Sequence, residues 1–207
     1  MTATLTDSAL ARIRPDIRAM HAYVVQNSDG LLKMDAMENP FSLPDDLQAA
    51  LGQRPGALAL HRYPSDGSER LQTALAQYID MPAGPALALG NGSAELISLL
   101  ALVCALPSSD GQRAKVLAPI PGFVMYAMSA QLQGLDFVGV PLQSDFALDE
   151  AAMLDAIATH RPALTFLAYP NNPTATPLVA AVVPRIDDAV GPQGRMLVVD
   201  GAFQPIA

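Results

Sequence analysis

Positive charge is scarce in this chain. Its 12 Lys and Arg are outnumbered by 20 Asp and Glu, giving a formal net charge of -8. That balance argues against a nucleic-acid partner, because neutralising a phosphate backbone takes an excess of Lys and Arg. Cysteine is rarer still. The single Cys104, inside the apolar run 99–106, permits no internal disulfide. It reads as a small buried hydrophobe, consistent with a cytoplasmic protein. No apolar run approaches the roughly 20 residues that a membrane span needs. Residues 1–7 offer neither a basic n-region nor an apolar h-region, so no secretory leader is expected. The match of Asn91-Gly92-Ser93 to a glycosylation acceptor is then expected to be chance. The three histidines, His21, His61 and His160, have no metal-ligand spacing, and no metal site is expected.

What is present fits a well-buried α/β protein. Apolar residues make up 51% of the 207, and a chain of this length can bury a real core as one domain or one and a fraction. Residues 1–45 read as an arm, with one helix over 8–20 followed by chain broken at Pro40 and Pro44. From 46 to 207, helical and strand patterns alternate. Helices are predicted over 45–51, 68–79, 90–106, 123–133, 149–159 and 178–190. Strands are predicted over 86–89, 116–118, 136–140, 164–168 and 196–199. Strands separated by helix-length connections imply right-handed parallel crossovers and a sheet covered on both faces. The 18 prolines fall mostly at element boundaries, where a fixed φ and a missing N–H do least harm. The expected architecture is a doubly wound, mostly parallel sheet.

Polar residues stand where two predicted strands end. Tyr169-Pro170-Asn171-Asn172-Pro173-Thr174 closes the run 163–168, and Asp200 closes 196–199. In open α/β sheets the ligand crevice lies at these carboxyl ends. An amide and a carboxylate there suit an aromatic nitrogen cofactor: Asn172 can donate to a ring oxygen, and Asp200 can keep a pyridine nitrogen protonated. Asp200 could equally cap a strand end beside Gly201. Gly90-Asn91-Gly92-Ser93-Ala94 joins a predicted strand to a helix. The free N–H groups and dipole of a helix start make a phosphate seat there, although a plain glycine turn with an Asn or Ser cap has the same spelling. A dinucleotide fingerprint is a poor match, since no third glycine follows.

The ordered set Met37-Glu38-Asn39-Pro40-Phe41, Arg62-Tyr63-Pro64, Gly90-Asn91-Gly92-Ser93, Pro119-Ile120-Pro121-Gly122-Phe123, Asn171-Asn172-Pro173-Thr174 and Asp200 resembles fold-type I enzymes of pyridoxal 5'-phosphate (PLP) in the aspartate aminotransferase superfamily. Within them it is most similar to the histidinol-phosphate aminotransferases. The resemblance implies PLP as cofactor, with Gly92, Ser93 and Ala94 at its phosphate, Phe123 stacked on its ring, Asn172 at the ring oxygen and Asp200 at the ring nitrogen. Phe123 also fits a core aromatic in the first turn of a helix, and Tyr63 an ordinary loop tyrosine. By the same resemblance Tyr63 reaches the phosphate of a neighbouring subunit, which implies a homodimer. Glu38, Asn39 and Phe41 would line the substrate entrance, and Tyr126 would border the substrate pocket. The implied substrates are an amino-acid or amino-alcohol phosphate and 2-oxoglutarate, handled in the cytoplasm.

The resemblance also implies a Schiff-base lysine a few tens of residues after the cofactor-pairing Asp. The chain has only Lys33 and Lys115, both before Asp200. The expectation is therefore an N-terminal portion, cut before the last strands and a C-terminal small domain, with no catalytic nucleophile of its own. Four positions depart from the family pattern: Ala94 for Asp, Ala175 for Gly, and both Gly201 and Phe203 in Gly201-Ala202-Phe203, where relatives usually read Glu-Ala-Tyr. Two enzymatic readings stay open beside the first, another class I/II aminotransferase or a PLP-dependent decarboxylase. A non-catalytic homologue acting as a binding partner is the reading outside catalysis.

Overall fold

The computed structural model describes residues 10–21, 27, 29–33, 39–56, 58–59, 61–63, 67–107, 111–191 and 194–201. Along the chain the elements are α1 (Pro15–Arg18), α2 (Asp45–Gly56), α3 (Gly67–Tyr78), α4 (Ser93–Val103), β1 (Lys115–Ile120), α5 (Val124–Gln133), β2 (Asp136–Pro141), α6 (Glu150–His160), β3 (Leu164–Ala168), α7 (Val182–Val190) and β4 (Met196–Asp200). Two compact units result. One joins Met1–Val24 to Gly90–Ala207, and the other is Val25–Leu89. The boundary expected at residue 45 falls inside the second.

In the first unit the four strands pair in parallel in the order β2-β1-β3-β4. Successive strand residues face opposite sides, and both sides are apolar. Val116 and Ala118 of β1, with Leu164 and Phe166 of β3, pack under Ile97 and Ala101 of α4 and Tyr126 and Ala130 of α5. Leu117 and Leu167 point the other way, against Met153 and Ile157 of α6 and Val182, Ile186 and Val190 of α7. The α7 residues recur every four positions, the stripe a helix must present to a sheet. The doubly wound sheet with helices on both faces is therefore the architecture observed.

Several predicted elements differ, among them the helix over 45–51, which runs on to Gly56, and that over 90–106, which spans Ser93–Val103. The helix over 8–20 is interrupted: Leu10 is helical, residues 11–13 turn, and α1 starts at Pro15, residues 8 and 9 lying outside the described residues. Arg14 is extended (φ -51, ψ 136), as a residue before proline prefers. Its guanidinium instead closes the end of α5, donating to the carbonyls of Gln131 (2.7 Å) and Leu132 (3.2 Å). The segment 178–181 is not helical, and α7 begins at Val182. Residues 86–89 form no strand. Alternating Ala and Leu suit a strand, but a strand exists only with a ladder partner, and none pairs here among the described residues. Leu87 instead accepts a hydrogen bond from the Gln72 side chain (3.3 Å). No described helix is long and apolar enough to cross a membrane.

Candidate active site

Three strand ends meet at the carboxyl edge of the sheet. β3 and β4 end in register, Ala168 opposite Asp200, and the Tyr169 N–H donates to the Asp200 carbonyl (2.8 Å). The chain then turns through Asn171, which is 8% exposed. Its side-chain amide donates to the carbonyl of Pro121 (3.2 Å) and to the Thr174 hydroxyl (2.8 Å). The first bond ties the loop after β3 to the loop after β1. Asn171 is therefore the structural member of the Asn-Asn pair, and Asn172, expected at the ring oxygen, is its half-buried neighbour. The fourth residue of the turn, Ala175, sits at φ +55, the strained region expected from the loss of glycine there. Ala175→Gly should relieve that strain and raise stability by about 1 kcal/mol, offset in part by the greater freedom of glycine when unfolded. Urea denaturation measures it, and a loss of stability would contradict the turn geometry.

Tyr126 and Asp200 form the centre of this edge. The Tyr126 hydroxyl donates to Asp200 Oδ2 at 2.8 Å. Its ring stacks on Phe166 (centroids 4.5 Å apart, 10° between planes) and meets Phe123 edge-on (5.6 Å, 89°). The sequence places Tyr126 at the border of a substrate pocket. In the structure it is 2% exposed, and its hydroxyl is committed to Asp200. The cause is its position on α5, facing the sheet rather than the loops. Burial, and then the Asp200 charge, push the phenol well above the ordinary tyrosine range. Because the folded form holds this proton more tightly, its contribution to stability is complete below the unfolded pKa of about 10 and is lost as pH rises above it. Tyr126→Phe should therefore flatten the fall in stability above about pH 10, by up to roughly 1.4 kcal/mol per pH unit. Identical pH profiles of the two proteins would refute the assignment.

The start of α4 has the backbone geometry that could seat an anion. Gly92 is the N-cap, with φ 80, and a Cβ there would meet nothing within 4 Å. Ser93 and Ala94 open the helix, so their N–H groups have no intrahelical acceptor. α4 packs beside α5, with the Ser98 and Ser129 hydroxyls 3.0 Å apart. Both helices therefore begin at the carboxyl edge of the sheet. Glu95 reaches back to accept from the Asn91 N–H. A glutamate three residues after the cap has the spacing for such a contact.

One unit thus brings together Gly92, Ser93, Ala94, Phe123, Tyr126, Asn172 and Asp200. Asn39 and Tyr63 belong to the other. Asn39 Oδ1 accepts from the Phe41 N–H (3.0 Å), and Tyr63 is 97% exposed. Glu38, Pro64 and Phe203 lie outside the described residues. Lys115 opens β1, at the edge of the sheet away from Asp200. Chemically, the edge offers helix N–H groups for a phosphate, an aromatic face, an amide, and a carboxylate oriented by a buried hydroxyl. That set fits a phosphorylated heteroaromatic ring with a protonatable nitrogen. Among the described residues no group of three or more His, Cys, Asp or Glu could hold a metal ion.

Known proteins resemble this chain in sequence and in fold. The histidinol-phosphate aminotransferase of Paracidovorax citrulli (strain AAC00-1) is 64% identical over 207 residues, covering 100% of this chain and 55% of that protein. That of Acidovorax ebreus (strain TPSY) is 68% identical over 199 residues, covering 96% and 53%. The chain thus spans about half the length of the curated relatives it matches. Among solved structures, the histidinol-phosphate aminotransferase of Sinorhizobium meliloti in complex with pyridoxal-5'-phosphate superposes with a TM-score of 0.77. It is 23% identical, covering 98% of this chain and 54% of the other, and shows that the fold is shared. The family model described as "Aminotransferase class I and II" matches residues 31–207. That span takes in β1–β4 and α2–α7, and the chain belongs to this family.

Proposed function

We propose that this chain is the cofactor-binding part of a PLP-dependent aminotransferase that exchanges an amino group between histidinol phosphate and 2-oxoglutarate in histidine biosynthesis. The observation that carries this reading is the Tyr126–Asp200 pair at the carboxyl edge, beside the Asn171-Asn172 turn. The identities of 64% and 68% to proteins named for this activity support the substrate. When bound, PLP supplies an electron sink that works while its ring nitrogen is protonated. Asp200 would hold that proton, and Tyr126 would fix the carboxylate's orientation. Asn172 would donate to the ring oxygen, Phe123 would cover a ring face, and Gly92, Ser93 and Ala94 would seat the phosphate. Tyr63 would serve a second subunit in a homodimer, and Asn39 the substrate entrance. The cytoplasm is the fitting compartment.

Neither lysine suits the transfer itself, since Lys115 stands at the wrong edge of the sheet and Lys33 precedes the whole framework. The greater length of the relatives leaves room for a lysine downstream of Asp200 to carry the proton at the reacting carbon. Transamination of histidinol phosphate by the full-length protein tests the proposal. Activity with other amino donors but none with histidinol phosphate would overturn the substrate. The 207-residue chain by itself, mixed with PLP, should form no lysine-bound cofactor band that disappears on adding histidinol phosphate. A band that forms and is then lost in this way would overturn the assignment of the lysine. The second reading, a non-catalytic binding partner, draws on the same lysine pattern and predicts an inactive full-length protein.

A further inference from the structure

The amino edge of the sheet, opposite Asp200, holds a second cleft of about 640 Å³, a volume typical of small-molecule sites. Arg113, Lys115, His160, Arg161 and Arg195 line it, and no Asp or Glu is among its described lining residues. This concentration is unusual for the chain. Residues 90–207 contain five Lys and Arg against ten Asp and Glu, yet four of the five surround this one space. The fifth, Arg185, is paired with Glu150. Topology makes the cluster: Lys115 opens β1, Arg161 ends α6 and Arg195 precedes β4.

Structural duties account for part of this charge. α4, α5, α6 and α7 all end at this edge, and each helix end carries about half a negative charge, roughly -2 in all, the α5 end being closed by Arg14. Arg195 serves two of them, donating to the carbonyls of Ile157 (3.4 Å) and Ala189 (3.2 Å). Its Nε is buried without a hydrogen-bond partner. Arg113 stands 3.8 Å from Asp136, with both side chains exposed, a contact that contributes little. Lys115 and Arg161 join no ion pair among the described residues. Four full positive charges therefore exceed what the helix ends and one loose carboxylate offset.

We propose that this cleft is a binding site for a small organic phosphate carrying at least two negative charges, separate from the cofactor edge. Guanidinium groups match phosphate oxygens in pairs, and the lysine adds a point charge. The length of β1, about 20 Å at 3.3 Å per residue, keeps such a ligand away from Asp200. Its binding would act on the protein rather than in the reaction. The proposal does not rest on the aminotransferase reading.

Inorganic pyrophosphate is the probe, titrated calorimetrically into the full-length protein with PLP in excess so that the anion seat at α4 is filled. One further site per chain is expected, weakening as salt screens it. Lys115→Gln with Arg161→Asn should weaken it roughly tenfold or more, Asn being tolerated at the positive φ of Arg161. Arg185→Gln should leave it unchanged. Absence of binding at millimolar pyrophosphate, or equal affinity in the double variant, would overturn the proposal. Should the double variant misfold, hydrogen exchange on the unsubstituted protein decides. Pyrophosphate must protect residues 113–115 and 159–161, and protection confined to 92–94 would refute the site.

Discussion

Asp200→Asn is expected to weaken binding of pyridoxamine 5'-phosphate to the full-length protein by roughly 10- to 150-fold. That range follows from losing a hydrogen bond to a charged group, about 1.5–3 kcal/mol. The pyridoxamine form is the useful ligand because its affinity needs no covalent bond to a lysine. Tyr126→Phe should cost less, roughly three- to tenfold, since it removes a donor that orients the carboxylate but leaves the charge in place. The ring packing against Phe166 and Phe123 is kept in that variant. Because Tyr126 acts through Asp200, the double variant should bind little worse than Asp200→Asn. Such non-additivity is expected of groups in contact. Fluorescence titration gives all four affinities. Undiminished binding by Asp200→Asn would remove Asp200 from the site. Full additivity would mean that Tyr126 contributes by some route other than its 2.8 Å bond to Asp200.

Gly122→Ala should lower stability by about 2–4 kcal/mol, a drop in Tm of roughly 5–15 °C for a chain of this size. An added Cβ would lie 2.3 Å from the Pro119 carbonyl oxygen. That oxygen belongs to the backbone at the end of β1 and cannot swing aside as a side chain would. The turn must open, and two parts of the site ride on it. Phe123 is the next residue, and the Pro121 carbonyl holds the Asn171 amide. Cofactor affinity should therefore fall along with Tm. A variant with unchanged Tm would show that the turn between β1 and α5 is looser than its geometry implies. Gly92 makes the contrast. Its Cβ position is open, so Gly92→Ala is penalised through φ 80 by about 1–2 kcal/mol, without a clash.

Much of the carboxyl edge was legible in the sequence. Apolar runs that end in Asn171-Asn172 and Asp200 mark strands whose last residues face the crevice, and a parallel sheet brings such ends together whatever the detailed packing. The helix start at Gly92-Ser93 follows from local chemistry in the same way. Its glycine takes a backbone conformation that other residues resist, and its N–H groups are left over by the helix. Periodicity and turn chemistry are local properties, and they determined the order of elements, the doubly wound class and the membership of the edge.

Tertiary structure decided what depends on residues far apart in the chain. Tyr126 and Asp200 are 74 residues apart. Only the packing of α5 on the sheet brings that phenol to the carboxylate. Within Asn171-Asn172, Asn171 is held by the Pro121 carbonyl, 50 residues away. Residues 86–89 spell a strand but lack a ladder partner among the described residues. Arg113, Lys115, Arg161 and Arg195 lie scattered through an acidic sequence and become a cluster because strand beginnings and helix ends share the opposite edge of the sheet. Local propensity is a property of neighbours along the chain. Hydrogen-bond partners and charge density belong to neighbours in space, and those exist only once the sheet has formed.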